Sequence, residues 1–229
     1  MSALAAGFSM GASRLRARPA WLAALLGLAL AVAAALVERS VTSVGAVDRA
    51  LEATFGLVIP LCAFAAVSAA TASERLRDAV WPLARYGGSA RHLALGVCLA
   101  ATLAASVVGA TLAAVVVVAS TGAGAGLGPV LADAGVSAWI GAITGAAYVG
   151  WFSLGAAFGR RGAVRWLPLV LDFTLGGSGG VLGAILPRGH VHALLGGATP
   201  LALPRSACTA TLAVEAIVLL VIASARTGD

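Results

Sequence analysis

Few side chains in this sequence could do chemistry. Among 229 residues there are nine acidic groups, fifteen basic groups that are all Arg, three His and three Cys. Two carboxylates, Asp172 and Glu215, fall within long apolar stretches. A charge at the centre of a membrane helix costs roughly 2.5–3.5 kcal/mol on insertion scales, so such groups line a pathway or pair with a partner. Both are candidates for a translocation path, and Asp172 has Arg161 and Arg165 upstream as possible pairing partners. The run Gly176-Gly177-Ser178-Gly179 offers a hydroxyl, with His190 and His192 following it. A catalytic base must reach the hydroxyl by a hydrogen bond. Ser178 and His192 would stand about 20 Å apart along a straight helix, so Ser178 is expected to be a small packing residue and no catalytic residue is expected. Cys62, Cys98 and Cys208 lie in or beside apolar runs, with no CxxC and no His/Cys cluster, so they are expected to pack rather than to bind metal. A phosphate-binding Gly-x-x-x-x-Gly-Lys loop cannot exist without Lys. No cofactor is therefore expected in this chain, and ATP and Mg, if used, would sit on a partner.

What must position these groups follows from composition. Sixty per cent of residues are hydrophobic and 10% are charged, against roughly 25% charged in soluble domains. Mean hydropathy is +0.99. Such a chain cannot cover a folded surface with polar groups, so lipid is its solvent. Disorder, a coiled coil, a disulfide scaffold and a soluble enzyme are excluded, and the Arg distribution gives no basic face for nucleic acid. A spanning helix needs about 20 apolar residues. Six stretches qualify: residues 20–37, 51–72, 92–119, 134–158, 166–186 and 207–225. Their continuity argues against a barrel. The expected fold is all-α and polytopic, one transmembrane domain over residues 1–229. The Ala-Leu-Val-Glu-Arg sequence ending the first stretch is a poor cleavage region, so that stretch is expected to be a span rather than a signal peptide.

The Arg count orients the chain. With the N-terminus in the cytoplasm, Arg14, Arg16, Arg18, Arg75, Arg77, Arg85, Arg91, Arg160, Arg161, Arg165 and Arg226 lie inside, and Arg39, Arg49, Arg188 and Arg205 outside. Positive residues favour the cytoplasmic side, so both termini are expected there, in a bacterial inner (plasma) membrane. Residues 1–19 form a cytoplasmic segment whose stretch 8–18 could be an amphipathic surface helix, Phe8, Met10 and Leu15 opposing the arginines, or a disordered leader. Residues 120–133 read as a Gly-rich outer connection. Glycine pairs four apart, such as Gly141 and Gly145, allow close helix packing, within the chain or between subunits.

The most informative stretch runs from Thr71 to His92. Thr71-Ala-Ser-Glu74 has the form of a capping box, so a helix is expected to begin there. Leu76, Ala79, Val80 and Leu83 share one helical face, and Glu74, Arg75, Asp78 and Arg85 the other. Pro82 should break the helix and push Trp81 to an extended conformation. Gly87-Gly88 allow a turn, and Ser89 can cap the next helix. Mixed charges on this face suit a protein partner better than a lipid surface.

Glu74-Arg75 followed by Arg85-Tyr86-Gly87-Gly88-Ser89-Ala90-Arg91-His92-Leu93-Ala94-Leu95-Gly96 resembles the permeases of ABC exporters of the type-two family. The sequence departs from that pattern where Val97 follows Gly96 and where Asp78-Ala79-Val80-Trp81 follows the first element. The resemblance implies six spans, with residues 73–91 as a cytoplasmic coupling helix seated in a separate ATPase subunit. Its contact residues would be Glu74, Arg75, Arg77, Asp78, Arg85 and Tyr86. It also implies a second permease subunit, identical or homologous, and no catalysis by this chain. Residues 187–206, too short to span and broken by Gly196-Gly197, Pro200 and Pro204, read as a shallow re-entrant outer segment, which the resemblance supports. The rival expectation is a self-sufficient secondary transporter or channel using Asp172 and Glu215, with a non-transporting membrane scaffold as a third class.

Overall fold

A computed structural model of the chain describes residues 2–41, 45–122 and 124–228; the side chains of Arg18 and Pro19 lie outside the description, as does Ala123 of the expected outer connection. The described residues are mostly helical, with no strand among them. In chain order the α-helices are α1 (Ala3–Leu15), α2 (Arg18–Val41), α3 (Ala46–Ala53), α4 (Ile59–Ala70), α5 (Leu76–Ala84), α6 (Ala90–Ser120), α7 (Leu127–Ala157), α8 (Leu167–Leu175), α9 (Val181–Ile185), α10 (Pro187–Leu194) and α11 (Arg205–Ala225). Helix α3 runs into α4 through a widened turn at Thr54–Val58. Pro60 near the start of α4 cannot donate to the Gly56 carbonyl and its ring crowds it, so the backbone widens by one residue there.

Five helical stretches are long and apolar enough to cross a membrane: Ala20–Val41, Ala46–Ala70, Ala90–Ser120, Leu127–Ala157 and Arg205–Ala225. The chain therefore has the character of a membrane protein. Trp21, Leu22, Leu25, Leu26 and Leu30 of α2, and Ile217, Val218, Val221 and Ile222 of α11, face outward.

The expected fifth span does not form one helix. Residues 166–186 divide into α8 and α9 at Gly176–Gly180, where four glycines and a serine carry too little helix propensity to bridge the gap. Ser178 works there as a cap: its Oγ accepts from the Gly183 N–H at 3.1 Å, in the first turn of α9. That is a more specific role than the packing expected of it. The Gly-rich connection expected over residues 120–133 is also shorter, because α7 begins at Leu127 rather than near residue 134.

The core has two buried clusters. One joins Ala63, Val67, Leu76, Val80, Leu93, Val97, Tyr148, Val149 and Phe152; the other joins Phe55, Ile59, Leu112, Val116, Ile140 and Leu212. Helices α6 and α7 form the spine. A Cβ on Gly141 would strike the Gly109 carbonyl and one on Gly145 the Ala105 carbonyl, so these small residues serve packing within the chain. The same device seats α1. Gly7 meets the Leu93 backbone, and Gly96 meets the backbone of Leu4 and Phe8. The N-terminal segment is thus a helix laid against α6, capped by Ser2, whose Oγ accepts from the Ala5 N–H at 3.3 Å.

Candidate functional site

Two polar regions interrupt this apolar body. The first is the elbow between α4 and α5. Thr71–Glu74 does not open a helix; it closes one. The Ala72 N–H donates to the Ala69 carbonyl (3.0 Å) and the Ser73 N–H to the Ser68 carbonyl (2.7 Å), a Schellman ending for α4. Ala72 and Ser73 take positive φ of 51° and 59°, where glycine is usual. The Thr71 hydroxyl donates back to the Val67 carbonyl at 2.8 Å, so it is not free to cap α5. Capping-box spelling and helix ending compete for the same residues, and the apolar run before Thr71 decides the outcome.

Helix α5 buries Leu76, Ala79 and Val80, with Leu83 half-buried, as the periodicity predicts. It runs through Pro82 to Ala84, and Trp81 is helical rather than extended. The proline falls in the last turn, where the Asp78 carbonyl it leaves unbonded lies on the exposed edge. Gly87 takes φ +90° in the turn that follows. Ser89 occupies the cap position of α6, but its Oγ pairs with His92 Nδ1 at 2.9 Å instead of with the backbone.

Three arginines lock the elbow. Arg14 of α1 donates to the Ala70 carbonyl (3.0 Å), the last residue of α4, and to the Ala79 carbonyl (3.0 Å) in α5. Arg75 donates from Nε to the Ala157 carbonyl (3.1 Å), the last residue of α7. Arg165, 5% exposed, reaches the Thr71 hydroxyl (3.0 Å), the Ser68 hydroxyl (3.3 Å) and the Glu74 carbonyl (2.7 Å). At Ala70, Ala157 and Glu74 they satisfy carbonyls that helix or turn ends leave open, where positive charge is favoured. Burial lowers the proton affinity of Arg14 and Arg165, and Glu74 partly restores that of Arg165. Of the six expected contact residues, Arg75 is turned toward α7, while Glu74, Arg77, Asp78, Arg85 and Tyr86 stay exposed. Arg85 donates to the Tyr86 hydroxyl at 2.8 Å.

The second region surrounds α10. Asp172 is 3% exposed and does not pair with Arg161 or Arg165 as expected; Arg165 is consumed by the elbow. Its Oδ2 accepts from the Tyr148 hydroxyl at 2.6 Å and its Oδ1 from the Arg188 N–H at 3.0 Å. Arg188 is the second residue of α10. Asp172 is therefore a cap supplied from another helix, its charge met by an N-terminal N–H. The Arg188 guanidinium lies 5.0 Å above the Phe173 ring. On the far side of α10, His190 is completely buried, with Nε2 2.9 Å from the Ala184 carbonyl and 4.0 Å from Glu215 Oε1. Trp151 Nε1 donates to Glu215 Oε2 at 3.4 Å. Glu215 is the eleventh of the 21 residues of α11, so α10 lies beside the middle of that helix.

Asp172 and Glu215, picked out in the sequence as isolated carboxylates, thus belong to one neighbourhood. Tyr148, Trp151, Arg188 and His190 complete it; the sequence singles out His190 only as a base too far from Ser178 and Arg188 only as an outer arginine, and it singles out Tyr148 and Trp151 not at all. One signal was present: Tyr148 and Trp151 are three residues apart on α7, hence on one face, each with a polar tip in an otherwise apolar helix. Among the described residues no cluster of three or more His, Cys, Asp or Glu could hold a metal. The three cysteines are free and buried.

No protein family, characterised protein or solved structure matches this chain.

Proposed function

We propose that this chain is the membrane-spanning permease subunit of an ATP-driven exporter of the type-two ABC kind. It would lie in a bacterial inner membrane with both termini cytoplasmic, and α5 would be its coupling helix. In this reading residues 166–206 form the fifth crossing and a re-entrant outer segment, giving six crossings. Two such subunits enclose the path, and ATP and Mg are bound by a separate ATPase subunit. This chain does no covalent chemistry.

One observation carries the reading. Helix α5 commits its apolar face to the protein core, yet Arg77, Asp78 and Trp81 on it and Arg85 and Tyr86 just after it stay exposed, on a base that three arginines hold fixed. A solvated surface helix needs no such bracing; a lever does. Leu76 and Val80 of α5 share a buried cluster with Tyr148 and Phe152, and Tyr148 holds Asp172. Force applied to α5 would therefore pass by packing to the polar region around α10. Ligand-driven motion of this kind is a population shift between packed states.

The test is co-purification in mild detergent. An ATPase subunit should accompany the wild-type protein and be lost when Arg77, Asp78 and Arg85 are reversed in charge, with the fold intact. A protein that purifies alone and transports regardless refutes the reading. Glu215 in mid-helix with His190 at 4.0 Å favours the second reading, a self-sufficient transporter. That reading wins if transport needs Glu215 and no ATPase.

A further inference from the structure

Asp172 and Glu215 are both carboxylates among apolar helices, but their surroundings differ in kind. Asp172 has two short bonds, from a phenol and a helix N-terminal N–H. Among the described residues Glu215 has only the long bond from Trp151, with His190 at ion-pair distance and the Asp172 carboxylate in the same neighbourhood. A carbonyl can only accept, so His190 Nε2 carries a hydrogen toward Ala184. His190 Nδ1 is buried and has no hydrogen-bond partner among the described residues.

Helix α7 presents Tyr148 and Trp151, α8 presents Asp172, α10 itself carries Arg188, whose side chain turns to Phe173, and the exposed His192, and α11 carries Arg205 and Cys208 in its first turn. Helix α9 presents only the Ala184 carbonyl, and the turn at Thr54–Val58 has no titratable group. Helix α6 carries Arg91 and His92 only in its first turn. Among the described residues His190 is the basic side chain within ion-pair distance of Glu215.

We propose that His190 and Glu215 form a one-proton site inside the helix bundle. A bare carboxylate at mid-helix beside a neutral imidazole is costly. Two states avoid that cost. In one the proton rests on the Glu215 carboxyl and the imidazole is neutral. In the other it occupies the open Nδ1 lone pair, and the imidazolium faces the carboxylate through Nε2–H. Either way the pair binds one proton, and its release leaves one uncompensated negative charge between α10 and α11. The ligand of this site is the proton itself, and the site exists whether or not an ATPase drives the protein.

The probe is the full-length protein in lipid nanodiscs, titrated from about pH 4 to 9 to cover imidazole and carboxyl groups. Trp151 is kept as the reporter, with Phe replacing Trp21, Trp81, Trp139 and Trp166. Its emission should change in one step. Glu215→Gln should abolish that step, because the imidazole then lacks its counter-ion. His190→Gln should lower the midpoint by about one pH unit, a tenfold loss of proton affinity. Persistence of the step in Glu215→Gln, an unmoved midpoint in His190→Gln, or no step at all overturns the proposal. Infrared difference spectra of the unsubstituted protein guard against misfolded variants. A carboxyl or an imidazole band should change at the same midpoint as the Trp151 step, and no change in either band at that midpoint also overturns the site.

Discussion

The elbow and the α10 neighbourhood solve the same problem with opposite charges. At the elbow, positive side chains meet the open carbonyls of helix and turn ends: Arg14 at the end of α4, Arg75 at the end of α7, Arg165 at the turn. Around α10, Asp172 meets an open N–H at a helix start. Both placements follow the direction of the helix dipole. The difference lies in what can titrate. A guanidinium stays protonated throughout the physiological range, so the elbow is a lock that ignores pH. The α10 neighbourhood contains Glu215, which caps nothing, and a histidine beside it. One region is built to hold; the other keeps a group that can change.

The sharpest way to break this contrast is to remove Arg165. Arg165→Ala leaves the Glu74 carbonyl and two hydroxyls without their buried donor, and should cost about 3 kcal/mol. Thermal unfolding in detergent should show it, together with faster amide exchange across residues 71–84. Next comes the seat of α1. Gly96→Val drives a side chain into the backbone of Leu4 and Phe8 and should cost about 1–3 kcal/mol. Protease sensitivity near residue 16 should rise as α1 lifts. On the other side of the comparison, Asp172→Asn should cost about 1 kcal/mol, since the amide oxygen can still accept from one donor while the charge at the start of α10 is lost. If Asp172→Asn proves costlier than Arg165→Ala, the elbow is not the more rigid region. The smallest effect should be a gain. Ala72→Gly relieves a left-handed alanine in the ending of α4 and should stabilise by about 0.5–1 kcal/mol, read as a higher midpoint of thermal unfolding.

Much of the fold was legible because apolar length is a strong signal. Five of the six expected crossings appear as continuous helices, and the buried face of α5 follows its periodicity. What was not legible has local physical causes. Thr71-Ala-Ser-Glu74 spells a helix start, yet the same residues can end a helix, and only the Schellman bonds to Ser68 and Ala69 distinguish the two. Pro82 breaks helices in their interiors, but α5 ends two residues later, so little bonding is lost. The expected fifth span, residues 166–186, is apolar and long enough in sequence, and hydropathy is blind to the glycines at 176–180 that divide it. The cations upstream of Asp172 in sequence are Arg161 and Arg165, whereas its partners come from α7 and α10, 24 and 16 residues away. Long-range pairing among helices leaves no mark in one sequence, and the α10 neighbourhood is made almost wholly of it.

The outer edge of α5 supplies the most direct test of the central claim. A photo-crosslinking side chain at Arg77 or Tyr86, both exposed, should be activated in native membranes with the chain at its natural abundance. The predicted product is a single adduct joining this chain to an ATP-hydrolysing subunit, lost when Asp78 is reversed in charge. Adducts to lipid alone, or labelling of these positions only from the outer face of the membrane, would contradict the account.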